Sequence, residues 1–323
     1  GIKGPTFNLQ AAPGYVSQPD GTSMYTWGYG CNGAPAGFLP GATGTQSITN
    51  ANCPTMQLPG PTLIVTQGES VTVNLVNRLP KAAGNTSIVF TGFDVGAAAT
   101  SGQSGACATA AVGVLTTEAA NGCSVTYTFT ANKPGTYAYY SGTQGDLQIE
   151  MGLHGALIVL PNLAGVPSAY AAYKAALPNT ANLPHTCFAL GGARPGPSGN
   201  DYRLAAAAYD HPSACYDREY LFQLSEVDLS IHQQAEQQVK ADEKKAVAAQ
   251  CSRPTGCLQV PTEPYKPSYF MVNGRSFPDV VDPHYAVQYP NQPYGGNPHI
   301  HPGELLLIRV VGTGRWQHPL HEH

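Results

Sequence analysis

The sequence is poor in charge. Charged residues make up 11% of the 323, and the 16 basic against 20 acidic side chains give a formal net charge of -4. Binding to nucleic acid needs a basic stripe or patch, and no such excess is present. Long apolar runs are also missing. None approaches the roughly 20 residues that cross a bilayer as a helix, so no transmembrane segment is expected. No C-x-x-C pair occurs among the eight cysteines, which argues against a zinc site of that kind. No cysteine follows Cys257.

Eight cysteines at uneven spacings fit disulfides formed in an oxidising compartment, so a secreted, periplasmic or cell-surface protein is expected. Pairing each cysteine with its neighbour closes the shortest loops and predicts Cys31 with Cys53, Cys107 with Cys123, Cys187 with Cys215 and Cys251 with Cys257. The start at Gly1, not Met, fits a removed leader or a trimmed chain.

The chain is rich in Gly (36), Pro (28) and Tyr (18), and its apolar runs are short and enriched in Val, Ile, Thr and Tyr, a composition that favours strands closed by turns. Alternation is clear in Gly60 to Pro80, where Leu63 and Val65, then Val71, Val73 and Leu75, flank a turn at Gly68 and predict a hairpin or corner with one buried face. Further strands are expected at 6–10, 24–29, 87–93, 125–130, 134–142, 220–224, 269–273 and 305–311, and Gly152 to Pro161 is apolar enough to be central. Leu229 to Gln250 carries Ile231, Ala235 and Val239 at helical spacing amid Gln, Glu and Lys, which predicts a largely solvated helix. A second helical patch is expected at 168–176, and the proline-rich linker 254–267 should be extended. Length and the strand spacing of about 8 to 12 residues predict an all-β chain of two domains, 1–162 and 163–323.

The final residues read HIHPGELLLIRVVGTGRWQHPLHEH and hold five of the ten histidines. His321 and His323 stand two apart, so in an extended segment they share a face at about 6.6 Å. His318 lies three residues earlier, before Pro319, and should leave in another direction. Interleaved Pro, Leu and Glu argue against a tag. Three imidazoles at this spacing make His318, His321 and His323 the candidate metal ligands, with Cu, Zn, Fe and Ni all open. His299 and His301 form another H-x-H, read as a turn pair; His154 is read as a satisfied core residue, and His185, His211, His232 and His284 carry no assigned role. Asp146 and Glu150 are an acidic pair read as a solvated loop, with binding of a metal substrate as the alternative. Asn85-Thr86-Ser87 is a glycosylation sequon.

The series PGPTLIVTQGESVTVNLVNRLP, PGTYAYYSG, GLHGALIVLP, YFMVNGRSFPD, HPGELLLIRVVGTG and HPLHEH resembles the multicopper oxidase family, over nearly the whole chain. The resemblance implies two consecutive cupredoxin-like Greek-key sandwiches, the second incomplete and carrying a helical insertion. It implies copper, with His318 as a type 1 ligand and His321 and His323 as ligands of a type 2 and type 3 cluster. It also implies one-electron oxidation of a small-molecule or metal-ion reductant coupled to reduction of dioxygen. Where the family has His-Trp-His this chain has Val89, Phe90 and Thr91, and where it has His-Ser-His this chain has Tyr140, Ser141 and Gly142. The type 1 thiolate has no counterpart after Cys257 either.

These departures lead to the expectation of a fragment whose copper sites are completed by a further C-terminal domain or another subunit. The isolated chain is then inactive and binds copper weakly or not at all. A chain stopping just after a strand, without a covered edge, points the same way. A non-catalytic extracellular structural or filament-associated cupredoxin repeat is the alternative, and a copper electron carrier or nitrite reductase-like protein a further one.

Overall fold

The structure is a computed structural model that describes residues 1–35, 52–162, 208–209, 214, 216, 218–300, 302 and 306–321. The first half forms two five-stranded sheets. One sheet has the order β1-β4-β12-β11-β6, made by β1 (Ile2–Lys3), β4 (Leu63–Thr66), β12 (His154–Leu160), β11 (Gly135–Tyr140) and β6 (Val89–Phe90). The other has the order β3-β2-β5-β10-β7, made by β3 (Ser23–Cys31), β2 (Thr6–Ser17), β5 (Ser70–Asn77), β10 (Ser124–Thr130) and β7 (Gly96–Ala99). A short hairpin, β8 (Ala111–Val112) with β9 (Thr117–Glu118), and a one-turn helix α1 (Gly145–Gln148) complete this half.

The predicted alternation builds the core. On β5, Val71, Val73 and Leu75 are buried while the residues between them are partly exposed, and they meet Leu63, Val65, Leu157 and Val159 of the opposite sheet. Gly60 to Pro80 is therefore a corner and not a hairpin: β4 and β5 lie in different sheets, and Gly68, at φ +91°, makes the bend between them. A positive φ there is available to glycine at little cost. Every residue of β12 is buried, because its second face is also covered: Ile64, Ile158 and Leu160 pack with Leu221 from the second half.

The second half contributes β13 (Arg218–Val227), helix α2 (Leu229–Glu243), β14 (Tyr269–Val272) and β15 (Leu306–Gly312), with the three strands ordered β14-β13-β15. The described residues are mostly strands in sheets, the all-β class that the sequence suggests. The expected boundary at 162 falls at the edge of the described residues, as does the helical patch at 168–176, which lies outside them.

Helix α2 departs from expectation. It ends at Glu243, short of Gln250, and Ile231, Ala235 and Val239 do not merely line a solvated helix but are buried in the same core cluster as the first two sheets. Asp228 caps it, its Oδ1 accepting the Ser230 backbone N–H at 2.9 Å.

Three of the expected disulfides are present: Cys31–Cys53, Cys107–Cys123 and Cys251–Cys257. Cys187 and Cys215 lie outside the described residues. No described helix is long and apolar enough to cross a membrane.

Candidate metal centre and its surroundings

At the first-sandwich positions where the resemblance calls for histidines, β6 and β11 pair Val89 with Tyr140 and Phe90 with Tyr139. The two segments are adjacent, but neither carries an imidazole. Phe90 is buried among Tyr127, Phe129 and Tyr139, with ring centroids 6.0, 4.9 and 5.9 Å away.

Beside it runs a closed network of neutral hydrogen-bonding groups and one carboxylate. Gln148 Oε1 accepts from Thr86 Oγ1 at 2.9 Å and Ser141 Oγ at 2.7 Å, while its Nε2 donates to Asn85 O at 2.8 Å. Ser87 and Thr143 hydroxyls meet at 2.9 Å, and Thr143 Oγ1 donates to Glu118 Oε1 at 2.9 Å. These side chains satisfy one another, and copper does not fit here. Asn85 is 4% exposed and its Nδ2 donates to Glu118 Oε2 at 3.1 Å, so the sequon is sealed in the fold.

The second location is the turn after β15. His318 sits beyond the strand, in an irregular segment and not on the β framework itself. Its Nε2 lies 2.8 Å from Oε2 of Glu226, whose side chain is fully buried near the end of β13. Glu226 Oε1 also accepts the backbone N–H groups of Arg315 and of Trp316, the latter at 2.7 Å. A side chain at Gly314 would collide with this carboxylate, so glycine is required for the close approach.

Arg315 then ties the turn down. It donates to Asp146 O at 2.6 Å and Thr262 O at 2.9 Å and lies over the Tyr265 ring at 4.6 Å. The Phe270 and His318 rings lie steeply inclined, 6.4 Å apart between centroids.

A metal-bound imidazole commonly has its other nitrogen held by a carboxylate, and His318 has that arrangement. It fits a ligand role through Nδ1. His321 is exposed in the same segment, and His323 lies outside the described residues, so the described structure does not bring the three together. Among the described residues no group of three His, Cys, Asp or Glu side chains converges on a metal position, and no free cysteine offers a thiolate. Of the H-x-H at the start of this stretch, His299 is exposed, its backbone bracketed by the Tyr220 hydroxyl at 2.8 and 3.0 Å, and His301 lies outside the described residues.

Between the two halves, behind Glu226, is a cavity of about 170 Å³ lined by Glu150, His154, Ser225, Glu226, Thr313 and Arg315 among others. His154 is in the core as expected but is not satisfied there: its Nδ1 is buried without a hydrogen-bond partner, and burial pushes the imidazole down to about 4. Asp146 and Glu150 are not one solvated pair either. Asp146 is exposed, whereas Glu150 is buried, and burial pushes its carboxyl up to about 7 against the opposing Asp228 N–H bond.

His232, on the predicted solvated helix, is 1% exposed, with Nδ1 2.6 Å from Tyr25 O and Nε2 3.1 Å from Glu150 O. Burial pushes its pKa down while the two carbonyl acceptors pull it up. His284 is exposed, and its Nδ1 accepts the Gly295 N–H at 3.0 Å.

The profile of the family described as multicopper oxidase matches residues 42–163. That segment, a little over a third of the chain, is similar to the multicopper oxidase family. No curated protein matches it. Solved structures similar to it include a copper nitrite reductase from Nitrosomonas europaea, 16% identical, covering 97% of this chain and 68% of that one, TM-score 0.47. A blue copper oxidase from the same organism is 15% identical over 96% of this chain and 61% of that one, TM-score 0.49. A multi-copper oxidase from Pseudomonas thermotolerans is 14% identical over 85% of this chain and 42% of that one, TM-score 0.42. This chain therefore spans about two fifths to two thirds of the lengths of these three.

Proposed function

We propose that the chain is the cupredoxin-repeat part of a secreted, periplasmic or cell-surface multicopper oxidase-like oxidoreductase, which couples one-electron oxidation of a reductant to reduction of dioxygen. The observation that carries this reading is the preorganised imidazole of His318, gripped by Glu226 inside the HPLHEH motif. Copper bound there would supply the electron-accepting chemistry, with His318 at a type 1 site and His321 and His323 at a cluster. The remaining ligands come from outside this chain, in a further domain or a second subunit, because the first sandwich offers none. That sandwich is scaffold.

Copper analysis and visible absorption of the natural protein test the reading. About four coppers per molecule with a thiolate charge-transfer band are expected, and a copper-free protein would defeat it. A type 1 band without a cluster would favour an electron carrier or a nitrite reductase-like enzyme instead.

A second reading is favoured by the satisfied network around Gln148: a non-catalytic extracellular repeat in which former ligand positions serve packing. It predicts no copper and full stability without it.

A further inference from the structure

We infer that Glu226 is a positioning residue that decides which nitrogen of His318 is offered to a metal. The inference rests on the reading of His318 as a copper ligand.

An ionised carboxylate only accepts hydrogen bonds. Glu226 is completely buried, and both of its oxygens are committed: Oε1 to the Arg315 and Trp316 backbone N–H groups, Oε2 to His318 Nε2. Nε2 must therefore carry the proton. In the neutral ring the lone pair then resides on Nδ1, which takes no protein hydrogen bond among the described residues. The same carboxylate fixes the turn that carries the ring, and Phe270 borders the ring at 6.4 Å between centroids. Tautomer and direction are set before any metal arrives.

The substitution Glu226→Gln separates this role from simple support. Two backbone N–H donors meet at the Oε1 position, so the glutamine must place its carbonyl oxygen there. Its amide NH₂ then falls opposite His318 Nε2. A donor facing Nε2 makes that nitrogen the acceptor and moves the proton to Nδ1. The turn keeps both backbone bonds, while the nitrogen offered to metal is blocked.

The experiment is nitrogen NMR of the metal-free full chain, labelled at histidine, at a pH well above the histidine range. The wild type is expected to hold His318 as the Nε2–H tautomer and Glu226→Gln as the Nδ1–H tautomer, with the rest of the spectrum unchanged. A wild-type Nδ1–H tautomer, or a native-like variant with unaltered tautomer, would overturn the inference. If the variant does not fold, the wild-type tautomer alone decides. A parallel titration with Cu(II) should show affinity falling about 10- to 100-fold in the variant. Inversion of the tautomer with unchanged Cu(II) affinity would leave Glu226 in control of the ring and instead remove His318 from the ligand set.

Discussion

His232 of α2 meets the backbone carbonyl of Tyr25, on β3, at 2.6 Å, across 207 residues of sequence. The contact anchors a helix from the second half to the first sandwich, where Ile231, Ala235 and Val239 share its core. Replacing His232 with Leu would remove the ring N–H that faces the buried Tyr25 and Glu150 carbonyls, one of which it serves in the neutral ring. The expected loss is about 2 to 4 kcal/mol, read from urea unfolding. His299→Ala, on an exposed side chain, should stay within about 0.5 kcal/mol. Equal effects of the two would show that His232 does not hold the halves together.

Glu150 lies 3.9 Å from His232 at the wall of the cavity behind Glu226, and its buried carboxyl gives a dependence on pH. Its folded pKa of about 7 stands above the ordinary 4.5, so folding favours the protonated form. Its contribution is fully present below 4.5 and is lost as pH rises through about 7, amounting to about 3 kcal/mol. Glu150→Gln can retain the Asp228 N–H bond but cannot ionise. Relative to wild type, the variant should gain stability progressively between pH 4.5 and 7 and hold that gain above. Denaturation curves at pH 5 and pH 8 measure it; a difference independent of pH would show that Glu150 does not titrate in the folded protein.

Cys31 and Cys53 close a loop across a sequence separation of 22. The bond joins the end of β3 to the segment that carries Gln57 and Leu58, both buried. Constraint of the unfolded chain by a loop of this size is worth about 3 kcal/mol. The double substitution Cys31→Ser with Cys53→Ser should lower stability by about that amount. Loss of the six-residue Cys251–Cys257 bridge should cost less. The reverse order in urea midpoints would contradict the loop-length argument.

The strands were largely legible in the sequence, since alternation such as Val71, Val73 and Leu75 marks the buried face directly. The separation of β4 and β5 into two sheets was not, because a glycine turn between alternating runs serves a hairpin and a corner alike. His318 was legible through its motif, whereas Glu226 was not. Its only signal is an acid within the apolar stretch Tyr220 to Val227, and an isolated carboxylate in a strand gives no indication of a histidine 92 residues away. His232 was hidden for a related reason: Gln and Lys around it suggest solvent, but tertiary packing against β3 decides which helix face is buried.

The network around Gln148 shows how a sandwich can keep its shape where the family places metal ligands. Three bonds converge on this one amide, two received and one given, and all lie in the core. Metal ligation would hold β6 and β11 together through a shared ion; here Gln148 joins Thr86, Ser141 and Asn85 without one. Gln148→Leu keeps the volume roughly but takes the partner from the buried Thr86 hydroxyl and Asn85 carbonyl, while the Ser141 hydroxyl keeps its bonds to Thr143. A loss of about 2 to 4 kcal/mol is expected, and added Cu(II) should not restore it, because no imidazole lies at Val89, Thr91, Tyr140 or Gly142. Thermal melts with and without the ion make the comparison, and recovery on adding copper would place a metal site in the first sandwich after all.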